Sequence, residues 1–248
     1  MKSGNPALSL WLLTFGIGYA FFQVMPAFIP GPLAGPVTRA DALDILTPFV
    51  VIPLAVFVFG RTKNKTATGD VPPPGGMRSA KFLFILALIL YANGHGIHLA
   101  ANSIDRLLEG QEGSSLHQAI YLFDEVISHF MWDTGVFLIA VALIWSSAGR
   151  HFGSLSKAGQ AAATGGGLFF GFTFAVNAIE GQTVIFTFPA AVLTSLVCLY
   201  LWLRSRRKAD RNPVVLFFLI AFLLAATLFA YWGISHQGFP EFSEIGWI

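Results

Sequence analysis

PVVLFFLIAFLLAATLFAYWGIS, residues Pro213–Ser235, runs the length of a membrane crossing without one charged side chain. A bilayer hydrocarbon core about 30 Å thick takes roughly 20 apolar residues of helix, so lipid is the solvent this stretch expects. Working back toward the amino terminus, six more apolar stretches follow the same rule: Leu8–Ile29, Leu43–Phe59, Lys81–Ile104, His117–Ser147, Gly159–Ala178 and Thr183–Leu203. The whole chain agrees with them, since 55% of its 248 residues are hydrophobic and only 11% are charged. An ordinary soluble domain is excluded. Seven crossings with short loops use up the length, so the reading is an all-α, polytopic seven-helix bundle forming a single transmembrane domain over residues 1–248. Lys2 precedes the first span, but that span is too long for a signal peptide and lacks a small-x-small cleavage site, so it is expected to stay.

Basic residues stay on the cytoplasmic side of short loops, and they give the bundle a direction. Lys2, Arg61, Lys63, Lys65, Arg78, Lys81, Arg150, Lys157, Arg204, Arg206, Arg207, Lys208 and Arg211 fall at one end of the spans, thirteen of the fifteen Lys and Arg. Arg39 and Arg106 fall at the other. The amino terminus is therefore expected in the cytoplasm and the carboxyl terminus outside, in a plasma or inner membrane. Asp41, Asp44, Asp105, Glu109, Glu112, Glu180, Glu241 and Glu244 then lie at the outer end. The segment Thr66–Gly76, with Pro72-Pro73-Pro74-Gly75-Gly76, reads as a non-helical loop. The cluster Arg204–Arg211 reads as an orientation signal, and Cys198 as a packing residue.

Ionisable groups inside spans are costly and point to function. In Asn93-Gly94-His95-Gly96-Ile97-His98-Leu99-Ala100-Ala101-Asn102-Ser103-Ile104-Asp105, about 100° per residue places His95, His98, Asn102 and Asp105 within an arc of about 80°. In the fourth span Glu125 and His129 are i,i+4 neighbours, as are Asp124 and Ser128, and Trp132 extends the Glu125/His129 face. The third span runs outward and the fourth inward, so the two stripes meet at one depth. Asn177, Glu180, Trp232, His236 and Asp44 end or begin their own spans at that same outer end. Three imidazoles with carboxylates suit a transition metal, zinc or iron. The expected ligands are His95, His98, Glu125 and His129. Glu125, Asp124 and Glu180 are the candidate catalytic carboxylates, and Asn102, Asp105, Asn177 and His236 the groups that orient ligands. Asp133 lies deeper and is turned about 80° or more from Glu125, which leaves it to contact another helix or to continue a proton path. His117 and His151 read as loop or interface residues. Gly165-Gly166-Gly167 with Gly171 reads as a close-packing surface, and Gly94 and Gly96 as room for a partner helix or a flat cofactor. Phe21, Phe22, Trp232, Phe239, Phe242 and Trp247 fit an interfacial aromatic belt.

The seven spans and the His/Asp/Ser/Glu content resemble those of the alkaline-ceramidase-like family of intramembrane metal hydrolases. That family's paired His-x-x-x-His is replaced here by His236 alone at the end of the seventh span, and the inferred orientation is reversed, so the chain is not assigned to it. The function expected is an intramembrane metal-dependent enzyme acting on a lipid or other amphiphile from the outer leaflet, hydrolysis being favoured over non-haem iron oxidation. One alternative is a haem-binding electron-transfer protein with His95 or His98 and His129 as axial ligands. Another is an ion- or proton-coupled transporter. A retinal protein is disfavoured because the seventh span has no lysine. The partners expected are the bilayer and an amphiphilic small molecule, with no nucleic acid; oligomeric state is open.

Overall fold

In a computed structural model, residues 6–62, 74–108, 110–111, 113–150, 152–205, 211–242 and 244–246 are described. The helices are α1 (Pro6–Val24), α2 (Arg39–Asp44), α3 (Thr47–Thr62), α4 (Pro74–Asp105), α5 (Ser115–Tyr121), α6 (His129–Ser147), α7 (Lys157–Glu180), α8 (Val184–Arg204) and α9 (Pro213–Ser235). Seven spans are long and apolar enough to cross a membrane. The chain is an all-α seven-helix integral membrane protein.

Each departure from the expected spans has a local cause. α1 tightens into a 3₁₀ turn at Met25–Phe28, where Pro26 has no N–H to continue the α ladder. The second span is two pieces: Thr38 and Asp41 form a capping box that starts α2, and the helix breaks after Asp44 before Thr47 and Pro48 start α3. The loop expected over Thr66–Gly76 is corrected at its end, because Pro74–Gly76 make the first turn of α4, where a proline's missing N–H costs nothing. Residues 66–73 lie outside the described residues. Between α5 and α6, Leu122–Ser128 form a π-helical segment, so the fourth span is one rod with a widened turn at Asp124 and Glu125.

Without a hydrophobic drive between helices in lipid, close contact comes from small residues. α4 packs on α6 and α7 on α1 and α9. A Cβ at Gly94 would sit 2.5 Å from the Trp132 nitrogen, and one at Gly135 2.4 Å from that of Tyr91. Gly94 thus admits a partner helix. Gly167 and Gly171 press on the carbonyls of Phe217 and Ala221 in α9, the packing surface expected of that glycine run. Phe15, Phe170, Phe174, Phe217, Phe218 and Phe222 fill the centre, Cys198 is buried, and Phe49, Phe82, Ile185 and Leu203 face outward toward lipid.

The helix directions gather chemistry at one end. Arg61, Arg78, Lys81, Arg150, Lys157, Arg204 and Arg211 occupy the helix ends opposite to Asp44, His98, Glu180 and Trp232. At that basic end, Thr62 bonds Ser146 at 2.9 Å, Arg150 donates to the Thr62 carbonyl, and Asn212 donates to that of Ser147. At the other end a short antiparallel hairpin, Pro32–Ala34 with Val37–Thr38, covers the bundle between α1 and α2.

Candidate functional site

A cavity of about 420 Å³ opens at the hairpin-covered end, between α1, α2, α4, α6, α7 and the carboxyl-terminal segment. The Gln23 and Asn177 amides line it and are backed by buried phenols. Asn177 donates to the Tyr19 hydroxyl at 3.2 Å and to Gln23 Oε1 at 3.3 Å, and Gln23 donates to the Tyr91 hydroxyl at 3.4 Å. Both tyrosines are fully buried. His98, Asp124, Glu125, His129, Trp132 and Glu180 line the same cavity.

The widened turn of Leu122–Ser128 lets two consecutive carboxylates serve two imidazoles. His98 Nδ1 lies 2.7 Å from Asp124 Oδ1, off the line of a hydrogen bond, so both buried atoms lack an aligned partner among the described residues. His129 Nε2 lies 3.6 Å from Glu125 Oε2. The His98 and His129 ring centroids are 4.9 Å apart. Ser128 donates to the Asp124 carbonyl, which helps to hold the π-helical turn. Trp132 sits among the histidines, with ring centroids 4.8 Å from His95, 5.6 Å from His98 and 5.9 Å from His129. Its buried Nε1 has no hydrogen-bond partner among the described residues.

The roof is an ion pair. Arg106 grips Asp41 through both carboxylate oxygens, at 2.5 and 3.0 Å, and donates to the Pro36 carbonyl at 2.9 Å, which ties the hairpin to the end of α4. Glu180 accepts the Phe242 backbone N–H at 2.7 Å, so the carboxyl-terminal segment folds over the bundle and brings Glu241 to the cavity. Six carboxylates therefore face this cavity beside one guanidinium: Asp41, Asp44, Asp124, Glu125, Glu180 and Glu241 with Arg106.

Of the four expected ligands, His98, Glu125 and His129 share the cavity wall and His95 does not. His95 is fully buried, its Nε2 donates to the Asp44 carbonyl at 2.9 Å, and it lines a separate groove with Ala92, Leu99 and Phe49. The carbonyl freed where the second span breaks after Asp44 draws the ring there. Among the described residues, no group of three or more His, Cys, Asp or Glu side chains is placed so that it could hold a metal ion. Asp124, Glu180, Asn102 and Asn177 line the cavity as expected. Asp105 instead lies 3.6 Å from His117 at the corner between α4 and α5, and His236 stacks on Trp232 at 3.9 Å and bonds the end of its own helix. Asp133 is buried and accepts from Thr183 at the α7–α8 turn. Gln23, Asp41, Arg106 and Glu241 are contributions that helical periodicity does not reveal.

Fold and site together define a seven-helix membrane protein with a carboxylate-rich, histidine-lined cavity at one end. No family model, no curated protein and no solved structure matches the chain.

Proposed function

We propose that the protein is an intramembrane metal-dependent hydrolase acting on a lipid or other amphiphile, with His98, Asp124 and His129 as the residues that would hold a zinc or iron ion and Glu125 beside them. One observation carries this reading: two imidazoles 4.9 Å apart, each beside its own carboxylate, in a cavity where six carboxylates face one guanidinium. Two imidazoles on one tetrahedral ion hold their ring centroids about 5 Å apart. The surplus negative charge favours a cation, and the donors are the nitrogen and oxygen ligands such ions prefer. An ion held there would supply Lewis-acid chemistry, polarising a carbonyl or phosphoryl oxygen and lowering the pKa of a bound water. Glu125, the more accessible of the two wall carboxylates, would be the group placed to accept a proton, and Glu180 lines the same cavity.

The basic helix ends support an orientation with the amino terminus in the cytoplasm and the cavity outside, in a plasma or inner membrane. The same donors suit non-haem iron oxidation, and the metal found decides between the two chemistries. Haem between His98 and His129 is disfavoured, because axial imidazoles across one iron stand about 6 Å apart with a macrocycle between them. A metal-free reading, with His98 and Asp124 as an acid–base pair, is favoured by their 2.7 Å contact.

Zinc titration separates these readings. Zinc at about a hundred times its Kd stabilises a specific site by about 2.7 kcal/mol, so the unfolding temperature of chelator-stripped protein rises, and His98→Ala/His129→Ala abolishes the rise. No rise in the wild type, with hydrolysis insensitive to chelator, overturns the metal reading.

A further inference from the structure

A second cavity of about 470 Å³ adjoins the first and has the opposite character. Its walls come from the end of α1, the second half of α7 and the end of α9, with Val24, Val176, Ile179 and Leu228 among them. The two cavities share Gln23, Ala27, Asn177 and Glu180. Away from that shared wall, the apolar cavity is rimmed by Phe28, Phe172 and Tyr231, which are 69%, 47% and 66% exposed on the lipid-facing flank. From Glu180 down to Phe172 it follows α7 for about 12 Å.

We infer that this groove seats an alkyl chain of an amphiphile whose head group occupies the His98/His129 cavity. The inference rests on the proposed function only for the identity of that head group. Continuity with the polar cavity selects this occupant. A ligand spanning the two cavities meets imidazoles and carboxylates at one end and aliphatic and aromatic side chains at the other, with the Asn177 and Gln23 amides at the junction. A partner helix would bury its backbone face in the groove but place nothing in the acidic cavity. A chain reaches the groove sideways from the bilayer past Phe28 and Tyr231, so the head group never crosses the hydrocarbon core.

The test uses the protein in phosphatidylcholine vesicles with a long-chain fatty-alcohol probe, uncharged at its head, carrying a diazirine at its terminal carbon. After irradiation, crosslinks are expected within residues 172–179 of α7 and 228–232 of α9. Val176→Trp and Leu228→Trp, each at a half-buried position, should each reduce that labelling at least tenfold. Ile185→Trp, on an outward face 80% exposed, should leave it unchanged. Labelling spread evenly over outward residues such as Phe82, Ile185 and Leu203, or insensitive to both groove variants when both proteins fold, overturns the inference. The outcome is independent of the metal. A protein that binds no zinc but labels in the groove retains the chain site and loses the hydrolase reading, and the converse result removes only the chain site.

Discussion

Gly181→Ala probes how His129 is held. Gly181 ends α7, donates its N–H to the Asn177 carbonyl at 2.8 Å, and lies flat against the His129 imidazole. Its φ of −85° suits alanine, so the backbone raises no objection. The side chain does, since a Cβ would stand 2.3 Å from His129 Nδ1 and 2.7 Å from Cγ. Ordinary contact needs about 3.5 Å, so the ring must retreat by about 1 Å. Behind it lie Trp132, nearly parallel at 5.9 Å, and His98 at 4.9 Å, so retreat strains the cavity wall. The expected stability cost is about 1–3 kcal/mol, typical of overpacking. Zinc affinity is expected to fall about 10- to 100-fold, as when a ligand loses its supporting contacts. Gly96→Ala is the matched control: nothing lies within 4 Å of its Cβ, so it leaves zinc binding unchanged and stabilises α4 by about 0.5–1 kcal/mol. Both variants are titrated against a chromogenic chelator. The reasoning fails if Gly181→Ala binds zinc within twofold of wild type while His129→Ala does not bind.

Arg106→Ala leaves the buried Asp41 carboxylate with only its Thr38 contacts. It is expected to lower stability by about 1–3 kcal/mol in thermal melts and to free the hairpin to proteolysis, and Asp41→Asn/Arg106→Ala should recover most of the loss. Thr183→Val removes the hydroxyl that Asp133 accepts and costs about 1–3 kcal/mol by the same measurement, with Thr183→Val/Asp133→Leu recovering much of it. Gly135→Ala, whose Cβ meets the Tyr91 backbone at 2.4 Å, forces α4 and α6 apart; a loss of about 1–3 kcal/mol is expected, and an unchanged melt contradicts the close-contact account.

The seven spans were legible because lipid demands about 20 apolar residues per crossing, a signal that survives any detail of packing. His98, Asn102, Glu125 and His129, grouped by helical phase, line one cavity, since i,i+3 and i,i+4 spacings are fixed by the helix itself. Helical phase failed for His95, which stands about 60° round the helix from His98 and turns to a carbonyl exposed by a helix break that no periodicity announces. Asp105 and His236 sit at corners, where Asp105 lies 3.6 Å from His117 and His236 bonds the Trp232 carbonyl of its own helix. The π-helical turn that sends Asp124 to His98 and Glu125 to His129 has no signature in Leu122–Ser128. Gln23, Arg106 and Glu241 reach the cavity through an amide–phenol network, a hairpin and a folded-back carboxyl-terminal segment, whose paths are set by tertiary contacts.

The most direct test of the metal centre is elemental analysis of protein purified without chelator. The account predicts close to one equivalent of zinc or iron in the wild type and less than about a tenth in His98→Ala/His129→Ala. A folded wild type carrying less than about a tenth of an equivalent of any transition metal, and taking up none on titration, contradicts it.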